Sequence, residues 1–246
     1  MDRPFEVLYE DSDLLVVNKP AGLVCHPTKP DGFSSLISRV RNYLAPPAVA
    51  HLVNRLDRET SGIVVIGKHR ESAAALQKAW GHFDTRKGYL AIVHGAVRAD
   101  RASIHAPLGK DESSQVAIKD CVRADGAEAR TEIEVACRFA REGREFSLVQ
   151  AFPQTGRKHQ IRIHLAHFGH PVVGDKLYGE TDYYYLALVN GMLTAADNQR
   201  LILPFHALHA HTLQFRWGQR DMAFQARPEV WFSSFLPDPA IDACLR

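Results

Sequence analysis

The stretch TEIEVACRFAREGREFSLVQAF, residues 131–152, decides what kind of fold this chain takes. Thr131, Ile133, Val135, Cys137 and Phe139 fall on one face, with Glu132 and Glu134 on the other, the period-two pattern of a half-buried antiparallel strand. Phe146–Phe152 supplies a hairpin partner across Arg141-Glu142-Gly143-Arg144. Outward from this hairpin, Tyr89–His94 is strand-like and ends at Gly95, and Val64–Gly67 is apolar enough for a buried strand. Glu6–Tyr9 and Leu14–Asn18 read as two short strands joined by the acidic turn Glu10-Asp11-Ser12-Asp13. Lys19-Pro20-Ala21-Gly22 ends the second of them. His209–Trp217 alternates again.

Three helices interrupt this pattern. One is capped by Ser34 or Ser35 and runs through Tyr43, with Leu36, Ile37, Val40 and Leu44 apolar, until Ala45-Pro46-Pro47-Ala48 breaks it. A second covers Ser72–Phe83 with Ala74, Leu76, Ala79, Trp80 and Phe83 inward. A third covers His159–Phe168 and stops at Gly169 and Pro171. Strands outnumber helices and short turns join them. The expected fold is a single α+β domain, residues 1–246, around a large mixed and mostly antiparallel sheet with flanking helices.

A chain of 246 residues buries a substantial core. Its formal charge of +2 neither demands nor excludes nucleic acid, so the placement of charge has to decide. Cys25, Cys121, Cys137 and Cys244 form no C-x-x-C pair, which argues against a disulfide scaffold or thiolate metal site and for a reducing compartment. The N-terminus is not a secretory signal, and YYYLALVNGML is too short and interrupted to span a bilayer. A cytoplasmic protein without a membrane partner, monomeric by default, is the expectation.

Three segments stand out chemically. In HLVNRLDRETSGIVVIGK, residues 51–68, Arg55 and Arg58 flank Asp57, with Thr60 ahead of an apolar strand. Leu56 pins such a loop inward, and Gly62 allows close backbone approach. Either this is a solvated turn with weak ion pairs, or the arginines keep Asp57 ionised for chemistry. The stretch PQTGRKHQIRIHLAHFGHPVVGD, residues 153–175, concentrates Arg157, Lys158, Arg162 and four histidines. Their spacing is not that of a zinc motif, so the choice lies between a solvated basic face and a phosphate-facing helix on which Arg162 looks into a cleft. In RKGYLAIVHG, residues 86–95, Tyr89 beside Arg86 and Lys87 is either a core strand residue or a ring offered to a base.

Taken in order, these segments resemble the RluA-type RNA pseudouridine synthases. The resemblance runs through VLYEDSDLLVVNKPAGLVCHP, NRLDRETSGIVVIGK, RKGYLAIVHG, ARTEIEV, TGRKHQIRIHLAHFGHPVVGD and ALHAHTLQF, residues 6 to about 217, leaving 218–246 as a C-terminal extension. It implies a pseudouridine synthase fold with a central RNA-binding cleft and no metal, nucleotide or redox cofactor. It places the catalytic carboxylate at Asp57, the active-site tyrosine at Tyr89, and the arginine that pairs with the carboxylate at Arg162. Arg55 matches the arginine that takes the place of the flipped nucleotide. Arg58, Thr60, Lys68, Lys87, Arg157, Lys158 and His159 are the expected RNA contacts, and the implied substrate is tRNA or large-subunit rRNA.

The sequence departs from the family pattern in three places. Asn54 stands where many members have His. The segment Glu180–Phe205 is longer than usual, and its tyrosines Tyr183–Tyr185 are placed to alter the rim of the cleft. Because the catalytic blocks begin at residue 6, the expectation is a member without an N-terminal S4-like domain.

Overall fold

The computed structural model describes residues 5–27, 34–45, 49–80 and 85–237. The predicted helix break at Pro46–Ala48, the predicted helix end at Phe83, and Cys244 lie outside them. In chain order the elements are β1 (Glu6–Glu10), β2 (Leu14–Lys19), α1 (Leu36–Leu44), β3 (His51–Leu52), β4 (Ser61–Gly67), α2 (Arg70–Trp80) and β5 (Arg86–His94). Then follow β6 (Arg101–His105), β7 (Leu108–Lys110), β8 (Asp120–Val122), β9 (Arg130–Arg141) and β10 (Arg144–Pro153). The last third holds α3 (Gln160–His167), α4 (Tyr183–Val189), α5 (Ala195–Leu201), β11 (Leu208–Trp217), β12 (Arg220–Gln225) and α6 (Val230–Ser233). The architecture is α+β, with strands predominating. The chain divides into two compact units, Met1–Gly88 with His209–Glu229, and Tyr89–Leu208 with Val230–Arg246.

In the first unit β4 is buried from end to end. It pairs antiparallel with β2 and β3 and parallel with β11, so this sheet is mixed. The parallel contact requires a glycine. Gly62 has φ +112°, and a Cβ there would stand 2.2 Å from the Ala210 carbonyl oxygen. Leu14, Val16, Ile63, Val65 and Leu213 meet Leu76 of α2 in one apolar cluster. Each such side chain contributes roughly 1.5–3 kcal/mol on full burial. α2 departs from the sequence expectation: it starts at Arg70, and Ala73 rather than Ala74 is buried. Ala73 and Leu76, three residues apart, share the face that meets β4, and Ala74 is turned about 100° away from Ala73. α1 begins as expected, with Ser35 Oγ accepting from the Ser38 amide.

The second unit is organised by the 131–152 hairpin. β9 and β10 pair antiparallel, with β6 on the far side of β9 and β5 on the far side of β10. The turn between them has Glu142 at φ 50° and Gly143 at φ 72°. Two consecutive positive φ values match the right-handed twist of the flanking strands. A register shift at Leu148/Val149 places Val149 opposite Val135 and Leu148 opposite Cys137. Phe146, Leu148 and Ala151 of β10 join Leu90, Ile92, Ile161 and Leu165 in the core of this unit. The segment 180–205 folds into α4 and α5, the latter closed by a Thr194–Asp197 capping box. No helix among the described residues is long and apolar enough to cross a membrane.

Candidate active site

The loop carrying Asp57 is held from several sides within the first unit. The Asn54 side chain continues the strand ladder, with its Nδ2 donating to the Ile63 carbonyl at 3.2 Å and its Oδ1 accepting from the Val65 amide at 2.8 Å. Leu56 points into the core, and its amide donates to the Cys25 Sγ while the thiol donates back to the Leu56 carbonyl, both at 3.4 Å. Asp57 is half-buried, and its carbonyl accepts from the Thr60 amide at 3.2 Å, closing a tight turn around the carboxylate. Thr60 is buried, while Arg55 and Arg58 are exposed. The Arg58 Nε donates to the Gly22 carbonyl at 3.2 Å.

Lys19 is the anchor that the sequence did not announce. It is fully buried at the end of β2, and its Nζ donates to the carbonyls of Pro20 and Leu23 at 2.8 Å and of Arg58 at 3.2 Å. Three N–H donors thus meet three carbonyls, two from the 20–23 turn and one from the Asp57 loop. Burial pushes the ammonium down to about 8, against the opposing pull of Cys25, Glu229 and Asp57. Behind the loop, Ser61 Oγ meets His209 Nδ1 at 2.8 Å, and His209 Nε2 donates to the Ala226 carbonyl at 3.0 Å. The carbonyl requires the proton on Nε2, so Ser61 is the donor to Nδ1. Burial holds His209 down to about 3, which keeps it neutral.

In the second unit, Arg162 lies on α3 and is only 6% exposed. The solvated basic face considered for this helix is therefore ruled out at Arg162. Its Nε and Nη2 donate to Asp175 Oδ2 and Oδ1 at 2.7 and 2.8 Å. Asp175 Oδ1 also accepts from the amides of Leu177 and Tyr178, at 2.9 and 3.0 Å. Burial raises the Asp175 carboxyl, but the Arg162 guanidinium overrides it and holds the group well below the usual carboxylate range. The guanidinium carbon stands 5.0 Å from the Tyr178 ring centroid. α3 itself is locked to β9: Gln160 Nε2 donates to Thr131 Oγ1 at 3.0 Å, and His164 Nδ1 meets the same oxygen at 2.9 Å.

The remaining predicted cations have protein contacts. His159, at φ 55°, meets Tyr178 Oη through Nδ1 at 2.8 Å. Lys158 pairs with Asp120 at 2.9 Å, and Arg157 Nε donates to the Glu128 carbonyl at 3.1 Å. Lys68 bonds the Glu10 carboxylate at 2.9 Å and the Asp11 carbonyl at 2.7 Å, tying the end of β4 to the β1–β2 turn. Lys87 Nζ stands 5.7 Å from the Trp80 ring centroid, and burial lowers its pKa. Tyr89 on β5 is half-buried opposite Ala151, with one side against the core of the second unit. Among the described residues no cluster of three or more His, Cys, Asp or Glu side chains is arranged to hold a metal.

The first unit thus presents Asp57, Arg55, Arg58 and Thr60 on one braced loop. The second carries Tyr89 within β5, three residues after the strand begins, and the Arg162–Asp175 pair beside Lys158 and His159. Sequence reasoning missed Lys19, Cys25 and Asp175 and passed over Asn54. Only Asp175 left a signal, as an acid closing a segment otherwise rich in cations.

The family model of RNA pseudouridylate synthases matches residues 13–167, and the chain belongs to that family. A relative in Xanthomonas campestris pv. campestris, named ribosomal large subunit pseudouridine synthase D, is 38% identical over 218 residues, covering 87% of this chain and 62% of its own. The Vibrio vulnificus protein named dual-specificity RNA pseudouridine synthase RluA is 36% identical over 181 residues, covering 73% and 71%. Among solved structures, human RNA pseudouridylate synthase domain containing 1 superposes with a TM-score of 0.73 at 27% identity, over 98% of this chain and 88% of that one. Against the Xanthomonas protein the chain spans less than two thirds of the relative's length.

Proposed function

We propose that this chain isomerises a uridine in tRNA or large-subunit rRNA to pseudouridine, with Asp57 as the catalytic carboxylate. Family membership supports the reaction class. The observation that carries the assignment to Asp57 is its loop, fixed by Asn54, Cys25 and Lys19, so that a half-buried carboxylate is displayed on a rigid turn. A catalytic group gains from such fixing, because misplacement by about 1 Å costs on the order of a hundredfold in rate.

The target uridine leaves its stack at a cost of a few kcal/mol, and the Arg55 guanidinium takes its place. Asp57 then acts on the ribose, as nucleophile at C1′ or as base at C2′. The N1–C1′ bond breaks, the uracil turns, C5 bonds C1′, and the C5 proton is lost while N1 gains one. Tyr89 stacks on the detached base, so that no abasic site is left. Arg162 keeps the catalytic role that the family resemblance gives it, supported by the bidentate bond to Asp175 that fixes its guanidinium in a buried position. Arg58, Arg157 and Lys158 are the phosphate contacts, and no cofactor takes part.

Asp57→Asn tests the proposal. Incubated with RNA from cells lacking the gene, the wild-type protein forms pseudouridine and the variant forms none, while RNA affinity changes less than threefold. Pseudouridine formation by Asp57→Asn would remove Asp57 from the chemistry.

A further inference from the structure

Beside the Asp57 loop the first unit has a second feature, of which the reaction above uses only Arg55. A cavity of about 440 Å³ opens between α1, β3 and α2, with His26, Arg41, His51, Asn54, Arg55 and Gln77 among its walls and no Asp or Glu among the described lining residues. The volume lies in the range of sites that take a nucleotide-sized ligand, about 300–1,000 Å³. Its polar groups are committed in an unequal way. Gln77 Nε2 donates to the Leu52 carbonyl at 3.3 Å, and the Asn54 amide is used by β4. Arg41 gives one Nη2 bond to the Ala50 carbonyl at 3.1 Å, which fixes its guanidinium at the wall without neutralising it.

Among the described residues no carboxylate pairs with Arg41, Arg55 or His26, whereas Lys68, Arg101, Arg123, Lys158 and Arg162 each have one. Burial, Arg55 and Arg41 together lower His26, so the fields of both guanidinium groups converge on it. His51 Nε2 is buried with no hydrogen-bond partner among the described residues. A concave site with two unneutralised guanidinium groups and an unpartnered imidazole nitrogen suits an anion.

We propose that this cavity is a phosphate subsite for the RNA strand next to the reacting uridine, with Arg41 on the diester oxygens, His51 as a further donor and Arg55 adding its positive field from the wall. The choice of RNA over a free anion follows from connectivity. Arg55 is two residues from Asp57, so their Cα atoms lie within about 7 Å. A phosphate bound in a cavity that Arg55 lines therefore belongs to the same polynucleotide that reaches Asp57. The subsite rests on the proposed RNA modification, and it adds grip without base readout.

The test is an equilibrium titration of an in vitro transcribed, uridine-containing RNA hairpin against wild type, Arg41→Gln, Arg41→Lys and His51→Phe across salt concentrations. Pseudouridine formation is followed separately in RNA from cells lacking the gene. Arg41→Gln is expected to weaken hairpin binding about tenfold and to lower the slope of log affinity on log salt by about 0.7–0.9. KM should rise with kcat within twofold, and Arg41→Lys should restore the slope. His51→Phe should weaken binding several-fold at an unchanged slope. Circular dichroism of each variant confirms folding. Unchanged affinity and slope in Arg41→Gln would overturn the subsite while leaving the enzyme assignment intact. Absence of turnover by the wild type, with the Arg41 salt effect present, would fail the enzyme and keep the site. Inorganic phosphate that shifts the His26 and His51 imidazole NMR signals, without any Arg41 effect on the hairpin, would overturn the RNA assignment in favour of a free anion.

Discussion

Arg162→Met removes the guanidinium facing Asp175 and leaves a carboxylate whose side chain has no solvent exposure. Breaking a buried pair from one side costs about 3–5 kcal/mol, because the surviving charge has lost both water and partner. Asp175 keeps the Leu177 and Tyr178 amides, so the lower end, about 3 kcal/mol, is expected. For a chain of this size each kcal/mol moves Tm by about 2–4 °C, giving a fall of about 6–12 °C. The pH dependence has a definite sign. In the wild type the folded Asp175 pKa is depressed, so the pair's contribution is complete above the unfolded value and fades as pH falls through the folded one. In Arg162→Met burial is opposed only by the backbone amides and His206, so the folded pKa rises, and the deficit shrinks as pH drops from 7 toward 5. Replacing both partners, Arg162→Met with Asp175→Leu, should recover most of the loss. Urea unfolding followed by circular dichroism at both pH values decides. A single variant less than about 1 kcal/mol below wild type at pH 7, or a double variant no better than the single, would refute the account of this pair.

Lys19 yields an alkaline signature. Its ammonium releases a proton near pH 8 when folded and near 10.5 when unfolded, so stability rises with pH between those values, by up to about 3 kcal/mol, and is flat below them. Lys19→Met should abolish that rise and cut turnover, since the Arg58 carbonyl loses its donor; a pH-independent stability difference between the two proteins would contradict it. Gly62→Ala drives a methyl into the Ala210 carbonyl at a positive φ and should cost about 2–5 kcal/mol, seen as a lower Tm or as insolubility. Tyr89→Phe should retain more pseudouridine formation than Tyr89→Ala; equal loss in both would point to the hydroxyl rather than the ring.

The pocket walls and the second-unit ion pair show why a sequence reading of charge is incomplete. Arg162 and Lys158 look alike in GRKHQIR, yet one is buried on Asp175 and the other half-open on Asp120. Asn54, one residue before Arg55, reads as a harmless departure from the family pattern. In the fold its amide fills two places in the β4 ladder. α2 starts two residues early because His69 and Ser72 cap it reciprocally, the Ser72 amide donating to His69 Nδ1 at 3.3 Å and the His69 amide to Ser72 Oγ at 3.4 Å, while packing on β4 buries Ala73 rather than Ala74.

The sequence by itself determined the 131–152 hairpin, the β1–β2 pair, the helix capped at Ser34 or Ser35 and the Leu56 pin. Those features follow from period-two or helical spacing, turn residues and capping, all of which act within a few residues. Tertiary structure alone decided that Lys19 would hold the Arg58 carbonyl, that Asp175 would claim Arg162, and that Arg41 and Arg55 would share a wall with no acid among its described residues. A charge acquires its partner, and with it its pKa and its use, from groups brought close by packing across tens of positions. No local periodicity encodes that proximity.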